Sequence, residues 1–145
     1  MILVQPIPLA AIKEHSLAMF PDECCGFLFG IEQSDGTRII SKIENVDNAR
    51  EGDKRRRFEI TGRDYMLAEK FALENDLLLL GIYHSHPNHP AIPSEHDRVA
   101  AQPYFSYIIV SVMQGNIDHI RSWQLNDNSQ FEEENFSPVH LNQSI

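Results

Sequence analysis

Four of the seven histidines fall between positions 84 and 97, in the run His84-Ser85-His86-Pro87-Asn88-His89-Pro90-Ala91-Ile92-Pro93-Ser94-Glu95-His96-Asp97. In extended chain, side chains two apart share a face, so His84 and His86 converge while Ser85 points away. Pro87 keeps the residue before it extended. An imidazole pair at a strand end is a way to begin a metal site, and the third ligand must come from elsewhere in the chain. Asp97, one turn into a helix that begins near Ser94, can return to the strand end. Two neutral imidazoles and one carboxylate leave zinc one position short of four, which a water can fill. Zinc lowers the pKa of that water from about 15.7 to about 7, and a carboxylate outside the ligand set can take the proton and pass it to a leaving group. Glu23, in Pro21-Asp22-Glu23-Cys24-Cys25-Gly26, is the candidate for that carboxylate.

The elements that must position these residues are legible from patterning. Residues 8–19 are rich in helix formers, with a proline at the start where a missing N–H costs nothing and Pro21 as the stop. Residues 25–31 and 37–46 are β-rich and flank Ser34-Asp35-Gly36, a hairpin signal. Residues 47–57 read as a polar loop, and residues 58–60 as a brief pairing segment. Thr61 and Asp64 resemble a capping box, followed by Tyr65, Ala68, Phe71 and Ala72 at helical spacing, so a second helix is expected to about Asn75. Residues 77–84 are apolar until the final histidine, as a central strand covered on both faces would be. A loop with Pro87, Pro90 and Pro93 precedes a helix over residues 94–101, and strands are expected over 105–113 and 117–125. Helices interleave with strands in mixed order, which predicts a sheet with helices on both faces. Residues 1–125 form the expected domain, and 126–145 read as a polar tail with no predicted element.

The residues set out above resemble the pattern of the JAMM metalloproteases of the MPN domain: an upstream Glu, His-x-His, seven residues, then Ser-x-x-Asp. Here Glu23 precedes His84-Ser85-His86, and seven residues separate His86 from Ser94-Glu95-His96-Asp97. The resemblance implies that His84, His86 and Asp97 ligate zinc, that Glu23 is the general acid/base, and that Ser94 helps hold the tetrahedral oxyanion. It implies an α/β fold of three α/β/α layers around a mixed, curved sheet, the MPN type, cytidine deaminase-like. The Glu-Cys-Cys-Gly and His-Ser-His-Pro surroundings look most like the short stand-alone bacterial members. For those the resemblance implies hydrolysis of an amide at the C-terminus of a ubiquitin-like or sulfur-carrier β-grasp protein, either an isopeptide to lysine or a peptide to a small amine. Eukaryotic deubiquitinating members carry insertions that grip a second ubiquitin, and the short loops here leave no room for them. The alternative is a non-catalytic MPN module serving as a scaffold; such modules usually lose ligands, and all three are kept here.

Simpler roles compete for several of these residues. Ser94 and Asp97 also spell a helix N-cap, which can coexist with metal binding. Glu23 taken alone is an ordinary loop acid. His89 and His96 read as surface histidines near the site, and His15, His119 and His140 as incidental. Vicinal Cys24 and Cys25 face opposite ways on a strand, so one is expected in the core, and neither is expected to be a nucleophile. Arg50 and Lys54 to Arg57 form a basic island that reads as a solvated loop or a docking surface for an acidic partner, and Glu132 to Glu134 as a solubilising run. A metallo-β-lactamase pattern, His-x-His-x-Asp-His, fails at Asn88. The zincin His-Glu-x-x-His and the deaminase Pro-Cys-x-x-Cys are absent.

Composition narrows the classes further. A chain of 145 residues fits one domain. With 12 basic and 21 acidic residues the net charge is −9, which disfavours nucleic-acid binding through phosphate neutralisation. No apolar run approaches the ~18 residues of a membrane span, and the first residues, broken by Pro6 and Pro8, lack the basic region of a secretory signal. A cytoplasmic location is expected. The two cysteines cannot supply a Cys-rich zinc site, so a metal must rest on histidine and carboxylate. The oligomeric state is left open.

Overall fold

The apolar run that ends in the histidine pair lies near the centre of an eight-stranded sheet in the computed structural model, which describes residues 1–138. In chain order the elements are β1 (Ile2–Val4), α1 (Pro6–Met19), β2 (Cys25–Glu32), β3 (Arg38–Val46), α2 (Gly62–Glu74), β4 (Leu78–Pro87), α3 (Glu95–Ala100), β5 (Ser106–Met113), β6 (Asn116–Leu125), β7 (Phe131–Glu134) and β8 (Phe136–Pro138). The strands are ordered β7-β6-β5-β4-β2-β3-β1-β8. β4 is antiparallel to β2 and parallel to β5, so the sheet is mixed. β7 and β8 occupy opposite edges, yet only Asn135 separates them in sequence. Consecutive Cα atoms are ~3.8 Å apart, so the two edges must approach closely. The sheet therefore curls nearly into a barrel.

The helices cover both faces. α1 packs against β3, β4, β5 and β6, and its Ile12 joins Leu28, Ile40, Leu80, Ile108 and Val110 in one cluster. α2 is capped by Thr61, whose Oγ1 accepts the Asp64 N–H, and sets Ala68 and Ala72 against Phe27, Phe29 and Ile82 on the other face. The register between β2 and β4 shifts beside Leu80, so Leu80 faces α1 while Ile82 joins the α2 cluster. His84 and His86 follow Ile82 by the two-residue period and share its face. Gly81 sits at this shift, where a Cβ would lie 1.9 Å from the Ser106 carbonyl oxygen; only glycine permits β5 to approach so closely.

Three segments depart from the expectations. Residues 58–60 form no strand; their place is set by the Ala49 N–H donating to the Glu59 carbonyl and by packing against the α2 cluster. Residues 2–4, too short for a pattern, form β1 because β3 and β8 supply parallel partners on both sides. The polar segment after Asn126 carries β7 and β8, anchored by isolated aromatics: Phe131 packs edge-on to Tyr107, and Phe136 packs on the α1 cluster. Glu132 to Glu134, read as a solubilising run, form an edge strand in which Glu134 accepts from Ser122 Oγ and Gln124 Nε2. His140 lies outside the described residues. No described helix is long and apolar enough to cross a membrane.

Candidate metal centre

The centre is assembled from a strand end and two anchored loops. Beyond the Cys25 and His84 pair, the Ser85 N–H donates to the Cys24 carbonyl at 3.2 Å, and Ser85 Oγ accepts the Cys24 N–H at 2.9 Å. This pair of hydrogen bonds across the strands sets Glu23 beside the histidine pair. The Glu23 N–H donates to the Lys54 carbonyl at 2.7 Å, and its carbonyl accepts from Asn48 Nδ2 at 3.1 Å. Asn48 Nδ2 also donates to the Arg57 carbonyl, while its Oδ1 accepts the Arg50 and Glu59 N–H groups, so one buried amide organises the loop. On the other side, Ser111 Oγ donates to the His89 carbonyl at 2.6 Å. The Ala91 N–H donates to His119 Nε2 at 3.0 Å, and Trp123 Nε1 donates to the Ala91 carbonyl at 3.0 Å. These anchors fix the Pro90 carbonyl, which accepts from His86 Nδ1 at 2.8 Å. His86 therefore carries its proton on Nδ1 and turns a lone pair on Nε2 toward His84.

Three Lewis bases converge there. His84 Nε2 and His86 Nε2 are 3.1 Å apart, and Asp97 Oδ2 lies 3.4 Å from the first and 3.2 Å from the second. Glu23, His84 and His86 also offer ligand atoms within 4.8 Å of one another. His84 and Glu23 are buried, and His84 Nδ1 and Glu23 Oε1 have no hydrogen-bond partner. Burial holds the His84 imidazole below its ordinary pKa. Burial, then the charge of Asp97, pushes the Glu23 carboxyl up to about 9. Burial also works to raise Asp97, but the imidazoles and the Ser94 N–H outweigh it and hold that carboxylate below the usual range. A buried set of two imidazoles and a carboxylate suits a small divalent cation.

Residues 8–126 match the Prok-JAB family, prokaryotic homologs of the JAB domain. The chain belongs to that family. Curated relatives named CysO-cysteine peptidase, from Mycobacterium tuberculosis and Mycobacterium bovis, are 27% identical over 124 residues, covering 85% of this chain and 82% of theirs. A solution structure from Desulfitobacterium hafniense superposes with a TM-score of 0.83 at 26% identity, covering 96% of this chain and 93% of that one. One from Salinibacter ruber gives 0.72 at 35% identity, covering 98% and 94%. The crystal structure of a JAB1/MPN domain protein from Archaeoglobus fulgidus, at 17% identity, shares the fold with a TM-score of 0.61 over 94% of this chain and 98% of that one.

Two cavities open onto the centre of this JAB domain. One, of about 390 Å³, is lined by Phe58, Ile60, Tyr65, Ile82 and Tyr107 and reaches His84 and Asp97. The ring of Phe58 lies against His84, with centroids 4.5 Å apart. The other, of about 490 Å³, is lined by Glu23, Arg56, His86, His89, Ile92 and Ser94.

The candidate site residues read from the sequence of this JAB domain now have places. His84, His86, Asp97 and Glu23 come together, and Ser94 lines the second cavity. Ser94 is also a cap: its Oγ accepts the Asp97 N–H at 3.1 Å, and its own N–H donates to Asp97 Oδ2 at 2.9 Å. The cap thereby aims the carboxylate at the histidines. His89 and His96 each line one cavity. Two histidines expected to be incidental are structural instead: His119 holds the proline loop, and His15 binds the Tyr83 hydroxyl at 2.8 Å. Cys24 and Cys25 are both buried, where one was expected, because the sheet is covered on both faces; burial raises both thiols, Cys25 to about 12. Asn48, Phe58 and Pro90 were missed, and Arg56 was read only as part of a basic island. They sit in loops without periodicity, and only the folded path brings them to the strand end.

Proposed function

We propose that this chain is a zinc-dependent peptidase that hydrolyses an amide at the C-terminus of a small ubiquitin-like or sulfur-carrier β-grasp protein. The observation that carries the metal is the triangle of His84 Nε2, His86 Nε2 and Asp97 Oδ2, with edges of 3.1, 3.2 and 3.4 Å. Tetrahedral zinc with bonds of about 2.0–2.1 Å needs ligand separations of about 3.3 Å. Membership of the JAB family and the name of the mycobacterial relatives support the reaction and the substrate class.

When bound, zinc supplies Lewis acidity and lowers the pKa of water to about 7. Glu23, buried beside the ligands and outside the triangle, moves the proton: its carboxylate accepts it from the attacking water and returns it to the leaving nitrogen. The Ser94 hydroxyl accepts from the Asp97 N–H and keeps its own hydrogen free to donate to the oxygen on which negative charge develops. His84 and His86 hold geometry, the second through Pro90.

Elemental analysis tests the reading. One zinc per chain is expected in the wild type, with chelation abolishing hydrolysis and zinc restoring it, and His86→Ala losing nearly all metal while remaining folded. Full stoichiometry in His86→Ala would rule out this ligand set. Metal-independent hydrolysis would overturn the mechanism.

A further inference from the structure

Glu23 lines only one of the two cavities at the metal centre. A hydrolysed amide has an acyl half and an amine half on opposite sides of the broken bond. The amine half must take a proton from an acid within hydrogen-bond reach as it departs. If Glu23 is that acid, the leaving amine occupies the Glu23 cavity and the acyl half lies toward Phe58 and Tyr65. The residues that meet the leaving group are then Arg56 and His89.

Of the basic residues Lys54 to Arg57, all exposed and none in an ion pair among the described residues, Arg56 is the one that lines this cavity. Its backbone is nonetheless tied down. Lys54, two residues before it, accepts the Glu23 N–H, and Arg57, directly after it, accepts from the same Asn48 amide that holds the Glu23 carbonyl. The guanidinium is therefore carried on a segment bonded to the backbone of the proton donor itself. An unpaired cation held at that place, on a chain of net charge −9, calls for an anion from outside.

We propose that Arg56 determines specificity by reading a negative charge on the leaving amine: the α-carboxylate of a C-terminal amino acid. The inference deepens the peptidase reading and rests on it. An α-carboxylate is two bonds from the departing nitrogen and falls within the same cavity. The lysine of an isopeptide places no anion there, and its departing ammonium is repelled by Arg56. In the reaction the C–N bond breaks, the water oxygen stays on the acyl carbon, and the proton leaves with the amino nitrogen, so the products are a carboxylate and a free amino acid. The chain is thus built to remove one terminal residue.

The probes are two hexapeptides ending in Gly-Gly-Ala, one a free acid and one a C-terminal amide. Hydrolysis by the wild type is compared with Arg56→Ala, Arg56→Glu and, as a control for general loop charge, Arg55→Ala. Calorimetric binding to each of these in a Glu23→Gln background gives a readout without turnover. The free acid should be preferred about tenfold, in line with one charge-assisted hydrogen bond at a partly exposed site. The preference should fall on KM, because the carboxylate is present in both ground and transition states. Arg56→Ala should erase it, Arg56→Glu should reverse it, and Arg55→Ala should keep it. Equal treatment of the two peptides by the wild type, a preference that survives in Arg56→Glu, or no binding of either peptide would overturn the proposal. An Arg56-dependent binding preference without any hydrolysis would sink the peptidase reading and leave the subsite. Hydrolysis without preference would do the reverse.

Discussion

The two faces of β4 both bury polar side chains, and they treat them differently. Toward α1, the Tyr83 hydroxyl donates to Asn45 Oδ1 at 2.7 Å and accepts from His15, and Ser85 Oγ accepts the Cys24 N–H. Every polar group named there is satisfied by the protein. On the opposite face, Glu23 Oε1 has no partner, and three Lewis bases stand within 3.4 Å of one another. A buried polar atom left without a partner costs about 1–3 kcal/mol. A fold tolerates that where something else is to be bound. The satisfied face is architecture, and the unsatisfied face is the site it supports.

Glu23→Gln should show the contrast most strongly. It removes the proton carrier and keeps the shape, so kcat should fall about 10²–10⁴-fold with zinc content unchanged. Replacing Asp97 by Asn should instead lose the metal. Zinc analysis and kcat on the same preparations separate the two carboxylates, and loss of zinc in Glu23→Gln would place Glu23 among the ligands.

Ser94→Ala tests a residue that serves both architecture and site. As an oxyanion donor its loss should lower kcat about 10²–10³-fold. As a cap its loss should cost about 0.5–2 kcal/mol of stability. A lower melting temperature with wild-type kcat at saturating zinc would reduce Ser94 to a cap.

On the satisfied face, Ser85→Ala leaves the Cys24 N–H buried without its acceptor and should destabilise the fold by about 1–3 kcal/mol. Zinc content should hold, and Ser85→Thr should restore stability. Denaturant unfolding of the three proteins checks this, and an undiminished midpoint for the alanine variant would remove the Ser85 to Cys24 link from the account of how Glu23 is placed. The smallest expected effect is at the thiols. With Cys25 raised to about 12 and both residues buried, neither cysteine should react with a disulfide reagent in the native protein at neutral pH, and both should react in denaturant.

Much of the candidate site is legible before any coordinates because its parts are local. His84 and His86 share a face by the two-residue period of a strand, and Asp97 is aimed by the same Ser94 cap that its spacing announces. The strands and helices that carry them follow from apolar periodicity and turn residues, with ends displaced by a few residues. Glu23 could be offered as a candidate from its place before the first core strand, but only a resemblance singled it out from other loop acids, since no local rule joins position 23 to position 84. Tertiary structure alone decided the rest. β1 and β8 exist because neighbours complete their hydrogen bonds, not because their residues insist on strand. Asn48 and His119 act through hydrogen bonds to backbone distant in sequence, and Arg56 lines the same cavity as Glu23 because the loop is tied there. Periodicity is set by backbone geometry and is written along the chain; a hydrogen bond between residues far apart in sequence depends on where folding brings its two ends, and leaves no pattern to read.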